Sequence, residues 1–247
     1  MKTEISVIIP FYENFELLKR AIESVLNQSF KKFELIIIFD NPFKSDLSIL
    51  EKMVSRNSKI KLIINKKNLG AGLSRNKGIK IAKGKYISFL DSDDYWKKNK
   101  LLKQINFMKK NKLLATHSTY DVIDEKNNFI KKRIAKNQNY SDLLNSCDIG
   151  LSTVMLDRKL LKGKYYFPKL KTKEDYVLWL RISKKGIIFY SINESLSKWT
   201  DRPGSLSKSV IQKLKDGFTV YNKYVGYGFI KSFISLLILS MNFLKKK

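Results

Sequence analysis

Histidine and cysteine are almost absent from this chain: His117 and Cys147 are the single representatives of each among 247 residues. One cysteine excludes an internal disulfide and a zinc site built from thiolates. One histidine excludes a poly-histidine metal centre. Acid is scarce too. Asp and Glu total 22 against 49 Lys and Arg, a formal net charge of +27. That surplus points to a polyanionic partner: nucleic acid, an anionic membrane face or phosphorylated substrates. The N-terminal MKTEISVIIPFYE holds a short apolar run bracketed by Glu4 and Pro10, with no h-region followed by a cleavage site. No signal peptide is expected, and the expected compartment is cytosolic and reducing. What is present is ample apolar material. At 43% hydrophobic and 29% charged residues the chain can build a sizeable core, which excludes a mostly disordered polymer.

Residues 4–95 alternate strands with helices. Ile5–Ile9 is a continuous apolar run, as a strand buried on both faces is. Residues 14–28 place Leu17, Leu18, Ala21, Ile22, Val25 and Leu26 at helical spacing. Strands follow at Phe33–Phe39, Ile60–Ile64 and Tyr86–Leu90, with helices expected over 45–55 and 71–83. This alternation predicts an α/β fold whose sheet is mainly parallel, with right-handed crossovers.

Each expected strand ends in polar residues: Tyr12-Glu13-Asn14, Asp40-Asn41, Asn68 and Asp91-Ser92-Asp93-Asp94. Ligands of open parallel sheets bind outside the carboxyl ends of the strands, so these clusters describe one crevice. The DSDD segment is the sharpest of them. Asp91 and Asp93, two apart on an extended tip, face the same way. Paired carboxylates repel unless a cation neutralises them. Mg²⁺ or Mn²⁺, bound through one or two carboxylates plus substrate phosphates, meets that need, with Asp93 as the ligand. Asp94 is expected to cap a helix over Lys97–Lys110.

Asn68–Gly78 (NLGAGLSRNKG) opens a helix with small residues and carries Arg75. Backbone N–H groups at a helix start beside an arginine suit an anion, and glycines also permit close helix–sheet packing. No Gly-Lys-Ser/Thr follows, which excludes a Walker A loop. The position after the third strand and the spacing exclude the GxGxxG fingerprint.

Taken in order, ISVIIPFYEN, AIESVLNQSF, NLGAGLSRNKGI and FLDSDD resemble the family-2 glycosyltransferases of the GT-A, Rossmann-like fold. KEDYVLWLRI (173–182) is similar to their acidic catalytic motif, and WTDRPGSLS (199–207) to their late loop. The resemblance runs over about residues 4–207. It implies inverting transfer from a nucleotide sugar, such as a UDP-sugar, in the synthesis of surface polysaccharides such as lipopolysaccharide or capsule.

Residue by residue, the resemblance implies that Pro10, Tyr12 and Glu13 hold the nucleotide base. Asp40 matches the base-contacting aspartate, although Phe39-Asp40-Asn41-Pro42 stands where the family has Asp-Asp-Gly-Ser. Arg75, Asp91 and Ser92 join the donor site, Asp93 binds the metal, and Glu174-Asp175 form the catalytic pair with Asp175 as base. The QxxRW signature of processive synthases is absent, since Asp175 is followed by YVLWLR, and this favours addition of a single sugar. Arg202 stands where the late loop usually has a histidine. Arginine cannot ligate a metal but pairs with phosphate, so Arg202 is expected on the donor diphosphate.

Other segments carry weaker signals. His117 in LLATHSTYDVID is expected to be a structural strand residue and Cys147 a small core residue, while Ser152-Thr153 resemble a family segment lining the sugar pocket, with ordinary strand residues as the alternative. Seven lysines and no acid lie between Asp94 and Asp121, either a solvated helix face or a face laid on anionic lipid. Phe229–Leu244 is strongly apolar and ends in Lys245-Lys246-Lys247. Its uninterrupted part is short of the roughly 20 residues that span a bilayer. It reads as an interfacial helix, with packing on the domain or in a homodimer as the alternative.

The expected organisation is a transferase domain over 1–207, with a nucleotide half (1–95) and an acceptor half (96–207), then a helical, membrane-associating segment over 208–247. The expected partners are a nucleotide-sugar donor, a glycan or lipid-linked acceptor and the anionic inner face of the cell membrane. A basic nucleic-acid-binding protein is the rival from another class, but it has no recognisable module and its strand-end carboxylates would repel phosphate. A sugar-phosphate nucleotidylyltransferase is a further rival, and the glycine signature it needs after the first strand is missing from PFYEN.

Overall fold

In the computed structural model, which describes residues 2–245 apart from 162, 164, 165 and 204–208, the expected alternation is present. Strands β1 (Ile5–Phe11), β2 (Phe33–Phe39), β3 (Ile60–Ile64) and β4 (Tyr86–Phe89) pair in parallel in the order β3-β2-β1-β4. Helices α1 (Phe15–Leu26), α2 (Leu47–Ser55) and α3 (Ala71–Ile81) form the crossovers. The apolar runs are buried on both faces because successive side chains point to opposite sides of the sheet. Val7, Ile9 and Phe11 of β1 join Leu18, Ile22 and Val25 of α1 on one face. Ile8 joins Ile79 of α3 on the other. The approach of α3 is close: a Cβ at Gly78 would lie 2.6 Å from Ile8 Cγ2, so only glycine fits there.

Beyond β4 the sheet is mixed. It continues through β8 (Met155–Asp157), β6 (Ala115–Ile123) and β9 (Tyr190–Thr200) to β5 (Tyr95–Trp96), with β7 (Phe129–Arg133) paired to β6. β8 runs antiparallel to both β4 and β6, while β6 and β9 are parallel. The mainly parallel expectation thus holds for the first four strands and for the β6–β9 pair, while the remaining pairings are antiparallel. Helix α4 (Lys100–Lys110) packs on the α1 face. Helices α5 (Tyr140–Asn145), α6 (Glu174–Ser183), α7 (Val210–Thr219), a π-helical turn (Val220–Val225) and α8 (Phe229–Leu244) follow on the other side. Trp179, Tyr176 and Phe189 are fully buried there, each contributing about 1.5–3 kcal/mol of hydrophobic stabilisation.

Three local expectations are corrected. Asp94 is not a helix cap, since α4 begins at Lys100 behind Asn99 and the short strand β5 intervenes. Cys147 is exposed and not part of the core. Ser152 and Thr153 lie in a 3-10 turn, Leu151–Thr153, and not in a strand. His117 is a buried structural residue, as expected. Burial lowers its pKa to about 4, and its ring faces Lys136 O at 2.9 Å.

Candidate active site

The registers Phe11↔Phe39, Phe39↔Ile64 and Ile8↔Phe89 bring the carboxyl ends of the parallel strands to one edge. The polar clusters meet there. Tyr12 and Glu13 are exposed at the tip of β1, just past buried Pro10, and Asn14 caps α1 in a left-handed conformation with φ 70°.

Asp40 is 4% exposed, and its carboxylate is taken up by the chain itself. Oδ1 accepts from Asn65 Nδ2 (2.7 Å) and Leu69 N (2.9 Å), and Oδ2 accepts from Gly70 N (2.8 Å). The anion at the start of α3 is thus the protein's own Asp40, which holds the glycine-rich loop in place. Gly72 serves packing, since a Cβ there would sit 2.9 Å from Glu174 Cγ, while Gly70 takes a left-handed φ of 82°.

Arg75 leaves α3 beneath this loop, 3% exposed, and joins two distant acidic segments. Its Nη2 donates to Asp91 Oδ1 and its Nη1 to Glu174 Oε1, both at 2.6 Å. Burial opposes the guanidinium charge, and Asp91 and Glu174 more than offset that, so its pKa rises. Arg75 is therefore the tie between DSDD and α6. Glu174 and Asp175 open α6 behind Lys173, whose φ of 63° is left-handed. Such strain in a non-glycine residue is common where a side chain is aimed for function. Asp175 is half-buried. Burial, followed by the neighbouring Glu174, raises its pKa to about 7 against the pull of Arg75.

DSDD is a turn and not an extended tip, closed by Asp94 N–H donating to Asp91 O at 3.1 Å. Its three carboxylates diverge. Asp91 meets Arg75. Asp93 Oδ2 accepts from Arg202 Nε at 2.9 Å. Asp94 is buried and accepts from Ser152 Oγ at 2.5 Å and Thr200 N at 3.0 Å. Ser92, between them, is half-buried. Burial and the neighbouring aspartates push Asp94 well above the usual carboxylate range. Asp93 is raised by burial and then by Asp91, although Arg202 opposes this. Asp93 thus presents a hard oxygen donor beside two further carboxylates, which fits a divalent cation. Among the described residues no three His, Cys, Asp or Glu side chains form a metal cage. Phosphate oxygens and water would have to complete the shell of an ion held by Asp93.

Sequence reasoning missed Arg20 and Gln28, and gave Ser152 only as part of a sugar-pocket segment. Arg20 of α1 donates through Nη2 to Asp93 O (2.7 Å) and Thr200 Oγ1 (2.8 Å). Ser152 Oγ accepts from Asp91 N (3.1 Å). Gln28 links α1 to the start of α4 by donating to Lys97 O (2.8 Å) and accepting from Leu101 N (2.9 Å). For Arg20 the signal was a polar residue on an amphipathic helix; Gln28 lies past the end of α1 and Ser152 in a 3-10 turn. A cavity of about 920 Å³ lined by Lys2, Lys32, Lys83, Lys85 and Arg158 lies away from these acids, at the amino ends of the strands.

With this geometry in view, the comparisons with known proteins are specific. The family described as "Glycosyl transferase family 2" matches residues 6–167. TuaG of Bacillus subtilis (strain 168), named as a glycosyltransferase of teichuronic acid biosynthesis, is 32% identical over 100% of this chain and 98% of its own length. WfgD of Escherichia coli, named as a UDP-Glc:alpha-D-GlcNAc-diphosphoundecaprenol beta-1,3-glucosyltransferase, is 36% identical over 90% of this chain and 86% of its own. Among solved structures, the mannosyltransferase PcManGT of Pyrobaculum calidifontis, in complex with GDP-Man and Mn²⁺, superposes with a TM-score of 0.71 at 14% identity. It covers 96% of this chain and 70% of that one, a likeness of fold.

Proposed function

The chain belongs to glycosyl transferase family 2, and from that premise we propose that it transfers a single sugar, with inversion, from a nucleotide-sugar donor to an acceptor in surface-polysaccharide synthesis. One observation carries the reading: Arg75 ties two acidic segments 83 residues apart in sequence (Asp91 to Glu174) into one crevice. One segment suits a nucleoside diphosphate and its cation. The other offers Asp175, a carboxylate with a pKa of about 7.

Inversion needs a base on the face of the sugar opposite the leaving group. Asp175 takes the proton of the acceptor hydroxyl as that oxygen attacks the anomeric carbon. The bond to the nucleoside diphosphate breaks and its electron pair leaves with the phosphate oxygen. A pKa near the working pH lets one carboxylate be both substantially ionised and basic enough. Glu174, held by Arg75, fixes the first turn of α6 and so aims Asp175. Arg202 turns from Asp93 to the phosphates as the leaving charge grows. A divalent ion on Asp93 would stabilise that same charge as a Lewis acid.

A UDP-sugar is the donor we favour, supported by the donor in the name of WfgD. Tyr12, 39% exposed at the tip of β1, presents an aromatic face to the base. The diphosphoundecaprenol acceptor in that name supports a lipid-linked acceptor at the inner membrane face. The test is thermal stabilisation by UDP-glucose, UDP-N-acetylglucosamine and GDP-mannose, each with and without Mn²⁺. A UDP-sugar should raise the melting temperature in a Mn²⁺-dependent way. Stabilisation by none of the three would overturn the reading, and stabilisation by GDP-mannose alone would overturn the UDP assignment.

A further inference from the structure

Helix α8 is apolar on the side that faces away from the protein. Ser232, Leu236 and Leu239 point inward. Ile230 (75% exposed), Ile234 (50%), Leu237 (48%), Met241 (53%) and Leu244 (61%) form one stripe along the outside. A surface helix ordinarily puts charge there. Helix α7 widens the stripe. Lys213 lies over the ring of Phe243 at 5.4 Å, which sets the start of α7 beside the end of α8, and Phe218 meets Phe229 at 5.3 Å. Val210, Ile211 and Leu214 of α7 are exposed at 66%, 70% and 44%.

Charge identifies the occupant. From Ser209 to Lys245 inclusive the chain has five lysines and one acid, Asp216. That acid is buried and accepts from Thr172 N (2.8 Å) and Oγ1 (2.9 Å). Lys231 and Lys223 lie over the rings of Tyr227 and Tyr224, at 4.1 and 5.7 Å. An apolar face edged by lysines on aromatic rings is built for the headgroup boundary of an anionic bilayer. A second copy would bring like charges together. Crossing the bilayer is excluded for α8, whose 16 residues reach about 24 Å against a hydrocarbon core of about 30 Å.

The face is coupled to the crevice. Asp216 of α7 holds Thr172, three residues before Asp175. Tyr221 of the π-helical turn meets Tyr176 of α6, hydroxyl to hydroxyl, at 3.1 Å. We infer that the α7–α8 hairpin lies flat on an anionic lipid surface and sets the Asp175 side of the crevice beside it. This docking serves the membrane reaction proposed above, and vesicle binding needs neither donor nor acceptor, so its failure would leave the sugar chemistry standing.

The experiment is flotation of the full chain with phosphatidylcholine vesicles, with and without phosphatidylglycerol. Binding should require phosphatidylglycerol and weaken with salt. Ile234→Glu with Leu237→Glu should lower it by at least about tenfold, since each leucine-sized side chain is worth that much on burial, while the melting temperature holds because both residues face outward. Lys223→Gln and Lys231→Gln, which leave the core alone, should each cost about fivefold. Absence of binding to either vesicle, or equal binding by these variants, would overturn the inference. So would light scattering that shows a lipid-free dimer broken by the same glutamates, because the occupant would then be a second copy.

Discussion

Arg202 donates its Nε–H to Asp93 Oδ2 across 2.9 Å, so the late-loop guanidinium rests on the carboxylate assigned to the metal. The rest of that loop, 204–208, falls outside the described residues. A cation and a guanidinium compete for the same oxygen. Arg202→Ala should therefore tighten Mn²⁺ binding to the protein alone while lowering kcat/KM by about 10–150-fold, the equivalent of 1.5–3 kcal/mol for a lost charged hydrogen bond. Calorimetry and steady-state kinetics check the two halves. Kinetics within twofold of wild type would mean that Arg202 neutralises Asp93 and never meets the donor.

Asp93→Asn keeps the shape of the turn and removes the charge. Mn²⁺-dependent affinity for the nucleoside diphosphate should fall to the metal-free level, with turnover abolished. Titration of the variant with UDP in Mn²⁺ and in EDTA measures this. A preserved difference between the two conditions would assign the metal elsewhere.

Removing Arg75 should act on stability as well as on activity. Arg75→Met leaves the Asp91 and Glu174 carboxylates partly buried without their cation, a change worth about 3–5 kcal/mol. Urea unfolding should show a loss of that order. Arg75→Lys should rescue little, because one ammonium cannot present the fork that spans both carboxylates at 2.6 Å.

The parallel half of the sheet was legible because each strand is a continuous apolar run between polar ends. Phe33–Phe39 and Ile60–Ile64 carry the expected boundaries, as does α8. The acids of the site were legible one by one. Their partners were not, because each pairing is long-range: Arg75 with Glu174, Arg202 with Asp93, Asp94 with Thr200. Asp94 read as a cap because nothing local announces β5, which exists only by pairing with Ser197 and Lys198. The family motifs place Asp40 and Arg75 in the donor site; their pairings inside the protein, with Asn65, Leu69 and Gly70 and with Asp91 and Glu174, are long-range and stand in no motif.

Lys100 also escaped the sequence, which counts it within a solvated lysine face. It is fully buried, with its ammonium over Trp96 at 3.8 Å and 3.1 Å from Ser88 Oγ. Burial depresses its pKa well below the ordinary lysine value. The unfolded chain binds that proton more readily, so this group costs stability at neutral pH and the cost fades as pH rises toward the ordinary value. Lys100→Met should raise the melting temperature at pH 7 and gain less at pH 10. An equal or larger gain at pH 10 would show that the amine is charged in the fold.

Asp175 yields a prediction in which activity and stability move apart. Burial and Glu174 raise its carboxyl from an ordinary 3.8 to about 7. Only the ionised form accepts a proton, so kcat/KM should rise with pH through about 7. Asp175→Asn should bind donor normally and lose turnover at every pH. The sign for stability is opposite. A carboxyl whose folded pKa exceeds its unfolded pKa holds its proton more tightly in the fold. Its contribution therefore becomes unfavourable as pH rises from about 4 and reaches its full cost above about 7. Asp175→Asn should be more stable than wild type at pH 8, with the difference shrinking toward pH 4. Urea midpoints at the two pH values measure it. A variant that keeps most of the wild-type kcat would remove Asp175 as the base. A variant less stable than wild type at pH 8 would show that the ionised carboxylate holds the first turn of α6 together rather than straining it.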